Sequence, residues 1–177
     1  SFRCREITER LLDFSRGRDA KRESTDLTHL VGEVVAMVKY LGKYRDRTID
    51  FPAGEACYAE VNGPEIKQVV LNLVANGLDA MQPGGQMQIQ LREQTDHVVL
   101  EIRDDGCGLS AEVMEHMFEP FFTSKQAGQG TGLGLSISHR IISQHGGTIS
   151  ASSPGVGQGT TFAVRLPRRV NVQRAAA

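Results

Sequence analysis

Two glycine clusters constrain this chain more than any run of apolar residues does. Asp104-Asp105-Gly106-Cys107-Gly108 is followed about twenty residues later by Gly128-Gln129-Gly130-Thr131-Gly132-Leu133-Gly134-Leu135. Upstream, Asn72 and Asn76 stand four residues apart in an otherwise apolar helical pattern, Val69, Val70, Leu73 and Val74, and so share one helix face. Buried amides on such a face need partners. Glycine-rich backbone lets N–H groups approach an anion, and glycines at alternate positions (128, 130, 132, 134) lead directly into a helix start. A carboxylate at a strand end accepts hydrogen bonds from an exocyclic amino group, and an amide oxygen suits a hard cation. Taken singly, Asp-Gly is a tight turn, the Asn pair caps a neighbouring loop, and the glycine stretch is a surface loop. Taken together and in this order, they predict a pocket for a magnesium-bound adenine nucleotide. Asp104, where the strand ends, is the expected adenine reader in preference to Asp105.

Bulk properties narrow the class. A chain of 177 residues with 40% hydrophobic side chains can bury one core. With 20 basic and 21 acidic residues the net charge is −1, which leaves no polybasic field for nucleic acid. Cys4, Cys57 and Cys107 form no CxxC pair, which argues against a zinc site or a disulfide framework and suits a reducing, cytoplasmic compartment. No apolar run approaches a membrane span, so no membrane contact is expected of these residues, although a longer parent chain is expected and could carry an anchor.

Along the chain, Cys4, Ile7, Leu11 and Phe14 trace a narrow helical seam over 1–16, expected to dock on a partner helix in preference to folding back. A charged linker is expected over 17–23, one α/β domain over 24–168, and a disordered tail over 169–177. Within the domain, Asp26 or Thr28 caps a helix bearing Leu27, Leu30, Val31, Val34, Val38 and Leu41. Short strands are expected at 47–51 and 57–61, and a helix from Gly63-Pro64-Glu65 to about Met81. Alternating strands at 86–92 and 97–103 flank a polar turn, a short helix covers 111–116, and a helix runs from near Gly132 to Gly146-Gly147. Strands at 148–152 and 160–166 close the domain. The mixture lacks strict βαβ alternation and predicts an α+β fold: a two-layer α/β sandwich with a mixed, mostly antiparallel sheet, preceded by one short helix. Phe118, Phe121 and Phe122 either anchor the 123–134 loop as a lid or pack in the core.

These blocks resemble the catalytic, ATP-binding domain of two-component sensor histidine kinases, of the GHKL ATPase superfamily with its Bergerat fold. Gln68-Val-Val-Leu-Asn-Leu-Val-Ala-Asn76 is similar to the N box and Asp104–Gly108 to the first G box. Phe118-Glu-Pro-Phe-Phe-Thr-Ser-Lys125 is similar to the F box, in the form of the nitrogen-regulation-like branch. Gly128–Leu135 resembles the second G box, and Gly159-Thr160-Thr161-Phe162 the closing threonine motif.

The resemblance implies that Asn76 ligates Mg²⁺ and that Asp104 binds the adenine amino group, supported by Thr160. It implies a nucleotide lined by Gly106, Gly108, Phe121, Gly130, Thr131, Gly132, Leu133, Gly134 and Leu135, with Lys125 on the phosphates. Asn72, Asn76 and Lys125 are the implied catalytic set. Hydrolytic relatives usually carry Glu where Asn72 stands; an amide cannot take a proton from water, which favours a histidine acceptor. None of the five histidines is followed by the acidic residue of the family's acceptor motif. The acceptor is therefore expected outside this chain, on the parent's histidine-bearing dimerisation domain, of which residues 3–16 resemble the end of the second helix. A response-regulator receiver domain and a homodimeric parent are also implied. The competing readings are a hydrolytic GHKL clamp ATPase and a non-catalytic ATP-sensing module.

Two positions depart from the family pattern. Gly77 replaces the usual Ala, a cost of ~1 kcal/mol inside a helix unless close packing requires it. Asp79 stands where many sensor kinases have Lys.

Overall fold

Sequence alternation dictates the layering. In the strand His97–Asp104, Val98, Leu100, Ile102 and Asp104 point inward while Arg103 is exposed. Its neighbours follow the same rule: Met87 and Ile89 are buried between exposed glutamines, and Phe162, Val164 and Leu166 are buried in the last strand. One face of the sheet is therefore apolar and the other polar, so helices cover one side only. The computed structural model describes residues 21–52, 54–123 and 131–168. The expected helix over 1–16, most of the linker, Lys125, Gly128, Gly130 and the 169–177 tail lie outside the described residues.

The elements are β1 (Glu23–Asp26), α1 (Leu27–Lys39), a 3-10 turn (Gly42–Tyr44), β2 (Thr48–Asp50), β3 (Tyr58–Val61), α2 (Gly63–Ala80), β4 (Gln86–Glu93), β5 (His97–Asp104), α3 (Ala111–His116), α4 (Gly134–Gln144), β6 (Thr148–Ser152) and β7 (Thr160–Pro167). The main sheet has the order β2-β4-β5-β7-β6. Its β2–β4 pair is parallel and the other pairs are antiparallel, which gives the expected mixed sheet. β1 and β3 form a separate two-stranded antiparallel sheet.

Local chemistry sets the helix ends. Asp26 caps α1 by accepting from the Thr28 and His29 backbone N–H groups. Asn62 caps α2 through Glu65 N–H, with Pro64 in the first turn. Two expectations need correction. α1 stops at Lys39, so Leu41 falls in the following turn and is exposed instead of extending the apolar stripe. The linker expected to reach residue 23 ends in β1; Glu23-Ser24-Thr25-Asp26 carries no apolar alternation and becomes a strand only because Tyr58–Val61 offers it an edge.

The core is continuous from α1 through α2 and α4 to the sheet, with Val34, Leu73, Leu78, Met87, Ile89 and Ile142 fully enclosed. One buried polar contact ties it together. His145, at the C-terminal end of α4, accepts the Asn62 backbone N–H on Nε2 at 3.1 Å and donates from Nδ1 to the Ile141 carbonyl at 2.8 Å. These partners fix a neutral tautomer and lock the end of α4 to the start of α2. Replacing His145 by Ala orphans a buried N–H and opens a cavity, and the expected loss is about 2–4 kcal/mol. Chemical denaturation measures it as a lower midpoint with unchanged slope.

Candidate nucleotide-binding site

The β5 alternation drives Asp104 to the inward face at the point where the strand ends and the first glycine loop begins. Its residue is 3% exposed. The Gly106 backbone N–H donates to Asp104 Oδ1 at 2.9 Å. Burial, the largest influence, pushes this carboxyl above the usual carboxylate range; backbone donors at Gly106 and Thr160 pull it back, and the Asp105 charge adds to the rise. Thr160 lies opposite Asp104 in the β5–β7 register. Asp105 turns the other way, its carboxylate accepting the Gln86 N–H at 3.0 Å. Asp104 thus ends as a desolvated acceptor facing a cavity, whereas Asp105 pins the loop to β4.

That cavity, of about 410 Å³, is bounded by Asn72 and Asn76 of α2, Asp104 and Thr160, and the start of α4. Leu109, Val113, Met117, Phe122 and Phe162 supply an apolar wall suited to a flat heterocycle. Gly108, Thr131, Gly132, Gly134 and Leu135 also line it. Gly106 acts from behind through Asp104. Leu133 caps α4 and packs on the core without lining the space. Phe121 also lies off the cavity: its residue is 73% exposed at φ 66°, and its backbone N–H donates to the Gly132 carbonyl at 2.9 Å. Phe122 and Thr123 take the lining positions instead. Lys125 and Gly130 fall outside the described residues.

A second groove, of about 790 Å³, runs along the β4 edge beside residues 51–57. It is larger but contains none of the expected site residues, so the chemistry points to the smaller cavity.

Several glycines are required by close approach. A Cβ at Gly108, already at φ 64°, would lie 2.1 Å from the Gly155 carbonyl oxygen, and one at Gly159 would lie 2.1 Å from that of Asp104. These contacts belong to a clasp between the 105–109 and 153–159 segments. Ser153 Oγ accepts the Leu109 N–H at 3.0 Å and donates to the Gly159 carbonyl at 2.7 Å. Gly157 and Gly159 N–H groups donate to the Cys107 and Gly106 carbonyls. The 153–159 turn therefore braces the loop that follows Asp104.

The two departures have physical partners. A Cβ at Gly77 would sit 2.5 Å from Met87 Cε and 3.3 Å from Asp104 Oδ2, so the buried methionine fills the space an alanine would take. Asp79, on the cavity rim, accepts from Lys43 Nζ at 2.7 Å and from the Tyr44 hydroxyl at 2.8 Å. The Asp79 bond, then that of Tyr44, raises the Lys43 ammonium above its ordinary range. Each of the five histidines lies away from the cavity, as the lining shows.

Asn76 offers an amide oxygen at the cavity wall, while among the described residues no group of three His, Cys, Asp or Glu side chains comes together. That donor set fits Mg²⁺ carried by phosphate oxygens with one protein ligand, and does not fit an all-protein cage.

A two-layer α+β sandwich with a buried carboxylate, an asparagine pair and a glycine-lined helix start defines an ATP-binding catalytic domain of the histidine kinase type. The family model for histidine kinase-, DNA gyrase B- and HSP90-like ATPases matches residues 62–170, and the chain belongs to that family. It is 36% identical to the sensor kinase CckA of Brucella abortus over 98% of this chain and 20% of that protein. It is 36% identical to the signal transduction histidine-protein kinase AtoS of Escherichia coli over 91% of this chain and 26% of that protein. The chain thus spans about a fifth to a quarter of these curated relatives. Among solved structures, the catalytic domain of histidine kinase ThkA superposes with a TM-score of 0.72 at 32% identity, covering 84% of this chain and 96% of that one. ThkA solved in complex with response regulator protein TrrA gives 0.75 at 27% identity over 94% of this chain and 48% of that one.

Because the Asp104 carboxyl lies above its unfolded value, its contribution favours folding below the unfolded pKa and is lost as pH rises through the folded value. At neutral pH the free chain therefore carries a penalty that Asp104→Asn relieves. The variant is expected to melt higher than the parent near pH 7, with the gap closing toward pH 4, and to lose ATP affinity. Calorimetric melting across that range, with and without ATP, checks both.

Proposed function

We propose that this domain transfers the ATP γ-phosphoryl group to a histidine on the dimerisation domain of its parent protein. The observation that carries this reading is the pairing, across one cavity, of a buried carboxylate with an asparagine pair that contains no general base. Asp104 accepts the adenine amino group at the closed end, and the Leu109, Met117 and Phe122 wall excludes water from the ring. Asn76 would hold Mg²⁺, which supplies charge neutralisation to the phosphates when bound. The first turn of α4 presents backbone N–H groups where negative charge is to be stabilised, and Lys125 is proposed to meet the terminal phosphate.

A neutral histidine nitrogen attacks the γ-phosphorus as its bond to the bridging oxygen breaks, releasing ADP. This acceptor needs no proton removed before attack, so position 72 needs no carboxylate. Positioning and electrostatics carry the rate. The phosphoryl group is then expected to pass to an aspartate of a response-regulator receiver domain. The existence of a ThkA complex with response regulator TrrA supports that partner class. Homodimerisation through the parent, a cytoplasmic location and membership of the nitrogen-regulation-like branch belong to the same proposal. Among the described residues no helix is long and apolar enough to cross a membrane.

The test is γ-labelled Mg-ATP incubated with this chain, alone and with the parent's acceptor domain. Acid-labile, base-stable label on that domain is expected. Free phosphate released at equal rates in both mixtures would refute the reading in favour of a hydrolytic ATPase.

A further inference from the structure

α4 carries one polar residue on its apolar stripe. Ile137, Ile141 and Ile142 are buried, and so is Ser138, which is only 2% exposed. Its hydroxyl is fully engaged. Asn72 Nδ2 donates to Ser138 Oγ at 3.0 Å, and Ser138 Oγ donates to the Gly134 carbonyl at 3.0 Å. The direction of each bond is fixed. The Gly134 carbonyl only accepts, so the hydroxyl proton goes there, and the oxygen lone pair must take a donor from position 72. The contact is also steric: a Cβ at Gly134 would lie 2.3 Å from Asn72 Oδ1, so the first turn of α4 rests directly on the Asn72 amide.

We propose that Ser138 is a positioning residue for the triphosphate, coupling Asn72 to the first turn of α4. The inference rests on the functional reading above and deepens it. Asn76 lies one turn beyond Asn72 on the same helix face, and Gly132, Gly134 and Leu135 border the same cavity. The Asn72–Ser138–Gly134 relay therefore sets the distance between the amide that would hold the cation and the backbone N–H groups that would hold the phosphates. A one-residue change shifts both together. The relay also defines why an amide suits position 72 here. A carboxylate offers no donor at neutral pH, so it would compete for the Ser138 proton and release the Gly134 carbonyl.

The adenine end of the cavity does not use this relay, because Asp104 and Thr160 belong to β5 and β7. Ligands of different length separate the two ends. In the complete 177-residue chain, Ser138→Ala is expected to weaken Mg-ATP about tenfold while adenosine binding changes by less than about twofold. In an Asn72→Ala background the Ser138→Ala effect on ATP is expected to vanish, since the relay is already cut. Calorimetric titration of ATP and adenosine into all four chains reads both. Adenosine binding also reports that the fold is intact. Unchanged ATP affinity in Ser138→Ala, a parallel loss of adenosine, or an effect that persists undiminished beside Asn72→Ala would each overturn the inference. Failure of the unmodified chain to bind ATP at all would remove the functional reading, and this inference with it.

Discussion

A nearly buried carboxylate organises this molecule. Asp104 occupies the last inward position of β5, where strand periodicity leaves it no other direction. Its desolvation has to be met by donors, and the chain arranges them from both sides: the glycine loop turns back so that Gly106 N–H reaches Oδ1, and β7 places Thr160 opposite. A protein donor set that stops short of saturating a buried carboxylate leaves its charged form destabilised, which is the direction of its shift. A ligand amino group is then worth more here than on a solvated surface, because the charged carboxylate is largely desolvated.

The close approach that buries this carboxylate also explains the glycine distribution around it. Gly106, Gly108 and Gly159 each stand where a Cβ would overlap backbone atoms of a neighbouring segment. Two loops far apart in sequence, 105–109 and 153–159, thereby become one rigid unit with Ser153 as its hub. Backbone-to-backbone bonding of this kind leaves the Asp104 end of the cavity little freedom to rearrange. The Asn72 end is built differently, from the start of one helix resting on the face of another. The two ends of the cavity accordingly have separate supports, strands for one and helices for the other.

The elements themselves were legible in the sequence because they obey periodicity and capping: α2, the β4–β5 hairpin, α3 and the β6–β7 pair are within about two residues of expectation. β1 was not legible, since a polar four-residue strand exists only through the edge it pairs with. Leu41 misled because a continued 3.6-residue period gives no sign that the helix has already stopped. In the site, Asp104 and the asparagine pair could be read because each breaks an apolar pattern. Ser138 breaks one in the same way, a hydroxyl among isoleucines, yet its Asn72 partner lies 66 residues away, a spacing that announces no bond. The Ser153 clasp depends on loop geometry that no local pattern encodes. Phe121 follows another rule: its ring is exposed off the cavity, while its backbone N–H bonds the Gly132 carbonyl.

The two departures from the family pattern acquire meaning only through residues distant in sequence. Gly77 would weaken α2 as an isolated helix, but Met87 from β4 packs into the space beside Asp104. The flexible methionine thus replaces a methyl group that a fixed Cβ would have supplied, and keeps the apolar surround that raises the Asp104 carboxyl. Asp79 poses a sharper problem, since it puts a carboxylate on the rim of a cavity for an anionic nucleotide, where like charges repel. Lys43 and Tyr44, brought by the 3-10 turn, hold it as a hydrogen-bonded pair of no net charge. Removing Lys43 would therefore take one cation away from Asp79, whereas removing Asp79 would take from Lys43 its carboxylate partner. The pair converts a repulsive substitution into a neutral one, and it makes the turn before β2 an electrostatic part of the cavity mouth although no motif marks it.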